Sequence, residues 1–212
     1  MKSFGYMAFV TVVAALVLPI GSIAYSQEAE TQPATKKVAC LGDSITRGPY
    51  PAKLGKILGD DFKVGVFAHP GIPLAKYATA KGWGKARGFK ADIVVIMLGT
   101  NDAHEKNWKS KAFFQEKMRA LVDSYREVNP RAAIYLCAPP PILRSKWGHD
   151  GKLLADEIVP AVKEVAKAED CELIDLYTTF LGKEELSRDG VHSNAKGYEL
   201  MAETIADALN PE

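Results

Sequence analysis

Three residues near the two ends of this chain have the types and spacing of a serine hydrolase triad. Ser44 lies in the segment LGDSITRG, and His192 lies in DGVHSNAKGY near the carboxyl end. A serine hydroxyl is a weak nucleophile until an adjacent base such as an imidazole takes its proton. Asp189, three residues before His192, can hold the imidazole in one tautomer and stabilise the imidazolium. These residue types predict nucleophilic acyl transfer.

Further residues can donate hydrogen bonds to a developing oxyanion. Asn101 in MLGTNDAH offers a side-chain amide, and Gly71 offers a backbone N–H that no side chain shields. The N–H of Ser44 is a third donor. Donors aimed at the oxygen of a tetrahedral intermediate stabilise the charge that develops there. We therefore expect Ser44, Gly71 and Asn101 to form an oxyanion hole.

Apolar runs rich in β-branched residues precede these polar motifs. The five predicted strands are Val38–Leu41, Lys63–Phe67, Ile93–Leu98, Ala133–Cys137 and Glu172–Leu176. Continuous apolar runs such as IVVIML are typical of strands buried on both faces of a parallel sheet. Ligands of such sheets bind at the carboxyl ends of the strands, where the polar motifs of this chain lie.

Helical patterns alternate with the predicted strands. Apolar residues recur every three to four positions over Phe114–Tyr125, Leu154–Val165 and Tyr198–Leu209, and a weaker helix is predicted over Pro51–Leu58. Asn129-Pro130 ends the first pattern, and Ser193 or Asn194 can cap the last helix. The alternation predicts a single α/β domain of three layers, with helices on both faces of a five-stranded parallel sheet.

The polar motifs resemble blocks I, II, III and V of the SGNH (GDSL-type) hydrolase family. The matching segments are LGDSITRG, the loop ending at Gly71, MLGTNDAH and DGVHSNAKGY, in the family's order. The resemblance implies the flavodoxin-like SGNH fold and no cofactor. It also implies roles for single residues: Ser44 as nucleophile, Gly71 and Asn101 as oxyanion donors, and Asp189 with His192 completing the triad. The segments IVVIMLGTND to NW and YLCAPPPI are similar to bacterial sialate or carbohydrate O-acetylesterase-like members.

Two positions depart from the family pattern. Block II usually has an asparagine two residues before its first glycine, and the matching region here is Val66-Phe67-Ala68. Block V usually has proline after the histidine, whereas Ser193 follows His192. Since serine is a good helix cap, we expect the second departure to be harmless.

Charge and ligand spacing exclude other classes of partner. The chain has 27 Lys and Arg against 26 Asp and Glu, and no dense basic run, so nucleic acid is excluded as the main partner. His69, His104 and His149 lack metal-ligand spacing, so we predict no metal site and interpret them as surface or packing residues. For Arg47 and Arg188, contact with a substrate anion and plain surface charge both remain open.

Three tryptophans follow predicted strands at the edge where the catalytic residues are expected. Trp83, Trp108 and Trp147 each have polar or glycine neighbours. Aromatic faces in such places suit sugar rings, which makes these residues candidates for substrate binding. The alternative is that they fix long loops to the sheet.

The amino-terminal residues have the pattern of a signal peptide. Lys2 precedes the apolar stretch Tyr6–Ile20, and Ala24-Tyr25-Ser26 offers small residues to a signal peptidase. We expect a signal peptide over residues 1–26, a flexible leader over 27–37 and the hydrolase domain over 38–212. The protein would then be periplasmic or extracellular, without membrane contact after cleavage. An uncleaved membrane anchor is the alternative.

The cysteines are predicted to be unpaired. Cys40, Cys137 and Cys171 are odd in number and lie in or beside apolar runs, so we expect three buried free thiols.

These observations favour an exported serine esterase that removes small acyl groups, acetyl above others, from carbohydrate. The rim loops contain HPGIPLAKY, GTNDAHEKNWKS and PPPILRSKWGHD, in which apolar residues are isolated and form no run for a long acyl groove. A lipid or thioester acylhydrolase with the same triad is the first alternative. An inactive carbohydrate-binding domain is the second.

Overall fold

The predicted strands form one sheet. Its strands are β1 (Lys36–Gly42), β2 (Phe62–Ala68), β3 (Ile93–Met97), β4 (Ala133–Ala138) and β5 (Glu172–Asp175). Their order is β2-β1-β3-β4-β5, and every neighbouring pair is parallel. Every residue of β3 is buried, as its continuous apolar sequence predicts. The five-stranded parallel sheet is therefore confirmed.

The computed structural model describes Met1, residues 35–144 and residues 147–210. Residues 2–26 of the predicted signal peptide and residues 27–34 of the predicted leader lie outside the described residues. The last two predicted leader residues, Lys36 and Lys37, belong to β1, so the domain begins slightly earlier than predicted. Within the described part of the chain, no helix has the length and apolar character needed to cross a membrane.

Helices cover both faces of the sheet. They are α1 (Tyr50–Leu58), α2 (Leu74–Tyr77), α3 (Trp83–Gly88), α4 (Lys111–Arg126), α5 (Gly151–Leu153), α6 (Val159–Ala168), α7 (Leu176–Phe180) and α8 (Ala195–Leu209). A π-helical turn over Leu154–Ile158 joins α5 to α6, and a 3₁₀ turn covers Glu184–Leu186. The three long helices predicted from apolar periodicity bury the predicted faces.

The core consists of one apolar layer on each face of the sheet. Side chains of a strand alternate between the two faces, so Ala39 and Leu41 of β1 belong to the layer under α4 and α6. Cys40 belongs to the other layer, which includes α1 and α8. Both layers therefore share the sheet as a common wall.

Helix ends follow the capping rules. The Asn194 side chain accepts hydrogen bonds from the Lys196 and Gly197 amides, each at 3.1 Å, so Asn194 is the cap of α8. Ser110 caps α4 in the same way, accepting from the Phe113 amide at 3.2 Å. Asn194 and not Ser193 is thus the cap among the two predicted alternatives.

One predicted helix is interrupted. The pattern over Leu154–Val165 passes through the π-helical turn before α6 begins. Pro160 has no N–H to donate to the carbonyl four residues earlier, and its ring crowds that carbonyl. A wider turn relieves this conflict.

Two of the three cysteines are buried as predicted. Cys40 and Cys137 are fully buried, and burial raises the pKa of the Cys40 thiol to about 12. The prediction is wrong for Cys171, which is only half-buried because it lies in the turn between α6 and β5.

Candidate active site

The structure brings Ser44, His192 and Asp189 into hydrogen-bonding distance. Ser44 Oγ lies 2.9 Å from His192 Nε2, although the two residues are 148 positions apart. His192 Nδ1 lies 3.0 Å from Asp189 Oδ2. With Nδ1–H donating to the carboxylate, Nε2 accepts the Ser44 hydroxyl proton, which is the geometry of a nucleophile with its base and orienting acid.

Asp189 is held by the turn that also carries His192. Its Oδ1 accepts hydrogen bonds from the Val191 amide at 3.1 Å and from the His192 amide at 2.9 Å. The Arg188 guanidinium donates to Oδ2 at 3.1 Å. Burial alone would raise the pKa of Asp189, but these hydrogen bonds hold that pKa below its usual range. Asp189 is therefore ionised and ready to stabilise an imidazolium.

Ser44 lies on the tight turn that follows β1. The Ile45 amide donates to Asp43 Oδ1 at 2.8 Å, and the Arg47 amide donates to the Asp43 carbonyl at 3.0 Å. A Cβ atom at Gly42 would lie 2.6 Å from the Met97 carbonyl oxygen. Glycine is therefore required where β1 passes into this turn, because a side chain would push β1 away from β3.

Asn101 is positioned by hydrogen bonds to its side chain and backbone. Its Nδ2 donates to Asp43 Oδ2 at 3.0 Å, and its carbonyl accepts from Asn107 Nδ2 at 2.8 Å. An amide nitrogen carries two hydrogens, so one N–H remains for a ligand. Asn101 lines a cleft of about 300 Å³ together with Ser44 and Gly71. The three residues expected at the oxyanion hole thus line one cleft.

Two buried carboxyl groups support the catalytic loops. Burial raises the pKa of Asp43 to about 7, and the neighbouring Asp102 charge adds to the shift. Burial likewise raises the pKa of Asp102 to about 6. Asp102 Oδ2 accepts from the Leu74 amide at 2.9 Å, which ties the Asn101 turn to α2. Both carboxyl groups therefore brace loops, as predicted. The hydrogen bond between Asp43 and Asn101 could not be predicted, because no local sequence pattern indicates it.

His149 is a cleft residue that sequence reasoning missed. It lines the same cleft as Ser44, and its Nε2 lies 3.4 Å from Asn101 Oδ1. A β-bridge pairs it with His104, and the Asp150 amide donates to the Ala103 carbonyl at 2.8 Å. The packing interpretation of His149 is incomplete: its ring does lie edge-on to that of His104, with centroids 5.7 Å apart, but the residue also lines the cleft. Its place after β4, at the catalytic edge, was the available signal.

The tryptophans have different surroundings. Trp147 lines the cleft, is 55% exposed, and its ring lies edge-on to His192 with centroids 5.8 Å apart. Trp83 instead packs edge-on against Tyr77 at 5.8 Å, and Trp108 packs against Phe114 at 6.1 Å. Trp83 and Trp108 therefore fix loops to the core, and only Trp147 of the three is placed to touch a ligand in this cleft.

The two arginines near the site have different surroundings. Arg188 supports Asp189, whereas Arg47 is exposed and lines a second cleft of about 330 Å³ with His69. Among residues 35–144 and 147–210, no three His, Cys, Asp or Glu side chains lie close enough together to hold a metal ion.

Comparison with known proteins gives the family. The model of the GDSL-like lipase/acylhydrolase family matches residues 40–200. An acetylxylan esterase of Xylanibacter ruminicola is 35% identical over 205 residues, which cover 82% of this chain and 43% of that protein. The chain thus spans less than half the length of this curated relative.

Solved structures share the fold. A crystal structure of an acetyl xylan esterase, AlAXEase, has a TM-score of 0.71 at 20% identity and covers 82% of this chain and 100% of its own. A lipase/acylhydrolase from Enterococcus faecalis has a TM-score of 0.68 at 25% identity, covering 84% and 98%. With the family match over most of its length, this chain belongs to the GDSL-like lipase/acylhydrolase family.

Proposed function

We propose that this protein is a serine esterase that hydrolyses small acyl esters, acetyl above others, on carbohydrate. The observation that carries the proposal is the continuous hydrogen-bonded series Ser44–His192–Asp189 at the edge of an open cleft. In that arrangement a serine hydroxyl is activated by a base whose tautomer is fixed.

The geometry suggests the order of proton transfers. Ser44 Oγ attacks the carbonyl carbon of the ester while its proton passes to His192 Nε2. The free Nδ2 hydrogen of Asn101 and the backbone N–H groups of Gly71 and Ser44 are the donors for the oxyanion. When the tetrahedral intermediate collapses, the bond from the acyl carbon to the sugar oxygen breaks, and His192 gives its proton to that oxygen, which leaves as a hydroxyl group. Water, activated by the same imidazole, then releases the acid from the acyl-enzyme.

The cleft lining favours a small acyl group over a lipid chain. The accessible lining of the cleft is mainly apolar, but its larger apolar side chains among the described residues are only Val191 and Trp147, which make a short wall and no long groove. A long acyl chain needs a continuous apolar groove, because each buried CH₂ contributes about 0.8 kcal/mol only where it leaves water. The exposed ring of Trp147 offers a flat apolar face to a sugar.

The similar proteins support the same substrate class without excluding the alternative. The Xylanibacter relative is named an acetylxylan esterase, and it shares 35% identity with this chain. The Enterococcus structure is named a lipase/acylhydrolase, so a lipid or thioester acylhydrolase is the second candidate.

A chain-length series of p-nitrophenyl esters separates the two candidates. We expect kcat/KM to be highest for acetyl and to fall at least about tenfold, or roughly 1.4 kcal/mol, by octanoyl. A rise with chain length would contradict the carbohydrate proposal and favour the lipid one. Acetate release from a panel of acetylated glycans identifies the sugar, with Ser44→Ala as the inactive control. Failure of a serine-reactive probe to label Ser44 would instead favour an inactive binding domain.

We also propose that the protein is exported. The support is the pattern of Lys2, the apolar stretch and Ala24-Tyr25-Ser26 in the sequence. The proposed organisation is a signal peptide over residues 1–26, then a leader that ends before β1 begins at Lys36, and the hydrolase domain from β1 onward. Amino-terminal sequencing of the protein from the periplasm or medium should begin at Gln27, and an intact amino terminus in the membrane fraction would indicate an anchor.

A further inference from the structure

The second cleft beside the catalytic one has an uncompensated positive charge. It holds about 330 Å³ and is lined by Arg47, His69, Lys81 and Lys85 and by the Val66–Ala68 end of β2. We call it the basic cleft. Its lining residues include no Asp or Glu within the described chain. Arg47, Lys81 and Lys85 are exposed and form no ion pair with any described residue.

Another surface cleft of this protein shows what a balanced arrangement looks like. The cleft between α1 and α8 holds about 510 Å³, and it sets Lys53 and Lys56 against Glu199, Glu203 and Asp207. Lys53 there forms an ion pair with Glu199 at 3.5 Å. The whole chain is also nearly neutral, with 27 basic and 26 acidic residues. The charge of the basic cleft is therefore local and does not follow from the composition.

The same two turns contribute lining residues to both clefts. Arg47 lies on the same turn as Ser44, since its amide donates to the Asp43 carbonyl at 3.0 Å. His69 and Gly71 lie on another turn, which the Ile72 amide closes by donating to the His69 carbonyl at 3.2 Å. Ser44 and Gly71 line the catalytic cleft, whereas Arg47 and His69 line the basic cleft. The two clefts therefore adjoin along these two turns.

We infer that the basic cleft is a subsite for a carboxylate carried by an acidic sugar that neighbours the acylated sugar of the substrate. This inference rests on the proposed carbohydrate esterase function. Lysine and arginine attract a carboxylate through charge and donate hydrogen bonds to it. Val66 and Phe67 give the same cleft an apolar wall against which a sugar ring packs.

The kinetic test uses a pair of acetylated xylo-oligosaccharides that differ only in one glucuronic acid branch. We expect kcat/KM to be about fivefold higher for the acidic member, a modest factor because exposed ion pairs contribute little. The change should come from a lower KM, with kcat the same for both oligosaccharides. Raising the salt from about 0.02 M to about 0.5 M should reduce the preference, since the charges are screened.

The variant Lys81→Ala/Lys85→Ala should lose most of this preference. The matched control Lys53→Ala/Lys56→Ala removes the same number of lysines from the balanced cleft and should retain it. Equal kcat/KM for the two oligosaccharides, or a preference that survives in the Lys81→Ala/Lys85→Ala variant, would overturn the subsite.

A binding measurement keeps this test separate from the proposed reaction. Calorimetry on Ser44→Ala with the deacetylated acidic and neutral oligosaccharides needs no turnover. If the wild type cleaves p-nitrophenyl acetate but neither oligosaccharide, the carbohydrate esterase proposal fails and calorimetry still decides the subsite. About fivefold tighter binding of the acidic member, lost in the Lys81→Ala/Lys85→Ala background, supports the subsite, and equal binding overturns it.

Discussion

The carboxyl group of Asp43 connects the turn of the nucleophile to the proposed oxyanion donor. One oxygen accepts from the Ile45 amide and the other from Asn101 Nδ2. A side-chain amide has similar shapes at its two ends, so its orientation depends on its partners. Asp43 accepts a hydrogen bond from Asn101 Nδ2, and His149 lies near Asn101 Oδ1. These two contacts fix the orientation of the Asn101 amide.

Replacing both Ser44 and His192 should lower activity no more than replacing either one alone. Because the two side chains work as one unit, Ser44→Ala and His192→Ala should each lower kcat by about 10⁴ or more. The double variant should be little worse than either single one in steady-state kinetics, with the circular dichroism spectrum unchanged. Additive losses would mean that the two residues act independently.

Asn101→Ala should act on turnover and not on binding. A donor that meets charge only in the transition state contributes to kcat, so we expect a loss of about 10²–10³ with KM nearly unchanged. Gly71→Ala keeps the backbone N–H, but Gly71 has φ +76°, so the alanine should also lower the free energy of unfolding through backbone strain. A large rise in KM with normal kcat would instead place Asn101 in ground-state binding.

Stability should fall as the pH rises from about 4 to about 7. The pKa of Asp43 is raised to about 7 and that of Asp102 to about 6, so the folded state binds these protons more tightly than the unfolded state. Their contribution is present below the unfolded pKa and is lost as pH rises through the folded pKa. Asp189, whose pKa is lowered, adds no such decline in this window.

Urea titrations at several pH values measure this effect. The free energy of unfolding of the wild type should fall by more than about 1 kcal/mol over the window. Asp43→Asn cannot titrate and should show a shallower decline. An identical decline in wild type and variant would show that Asp43 does not titrate in this range.

At the scale of elements, the catalytic residues are positioned by the ends of strands and by a short β-bridge between two loops. The triad joins the end of β1 to the loop before α8, and a β-bridge between His104 and His149 brings the loop after β4 over the cleft. Continuous apolar runs and long periodic helices were predictable from the sequence because each carries its signal along its own length.

Other elements carried no such signal. Helices α2, α3 and α7 have only four to six residues, too few for a periodic face. The His104–His149 bridge joins loops far apart in the chain, which no local pattern indicates. Trp83 and Trp147 have similar sequence neighbours, and only tertiary packing shows that the first lies on Tyr77 and the second in the cleft.

The cap of α8 should affect both stability and turnover. Asn194→Ala removes the acceptor for two amides and should lower the free energy of unfolding by about 1 kcal/mol. Asn194 also donates from Nδ2 to the Glu185 carbonyl at 2.6 Å, which fixes the loop that carries His192. We therefore expect a lower kcat as well.

Ser110→Ala is the matched control for this cap. Ser110 caps α4, away from the loop of His192, so it should lose similar stability in urea unfolding with kcat unchanged. Normal kcat in Asn194→Ala would show that the cap does not hold the catalytic loop.

At the scale of the whole molecule, two apolar layers depend on a single sheet. Met118 of α4 and Met201 of α8 are both fully buried, one in each layer. If the sheet separates from one layer and unfolds, the apolar side chains of the other layer also become exposed to water. The described domain should therefore unfold as one cooperative unit.

Truncating either methionine should destabilise both layers together. Met118→Ala and Met201→Ala should each lower the free energy of unfolding by about 2–5 kcal/mol. Trp83 and Trp108 pack against the Met118 layer, so their fluorescence reports on that layer, whereas far-UV circular dichroism reports on both. The two signals should give the same midpoint in each variant, and separate midpoints for Met201→Ala would mean that the layers unfold independently.

The unequal burial of the three thiols makes Cys171 the most accessible of them for chemical coupling, at a pH high enough to ionise it, since partial burial raises its pKa. Cys40 and Cys137 are shielded in the interior, while Cys171 precedes β5 at the amino-terminal edge of the sheet. The catalytic residues follow the carboxyl ends of the strands, at the opposite edge. A fluorophore, bead or electrode coupled through Cys171 would thus face away from the cleft, and immobilised molecules would share one orientation with the cleft open to a polymer in solution.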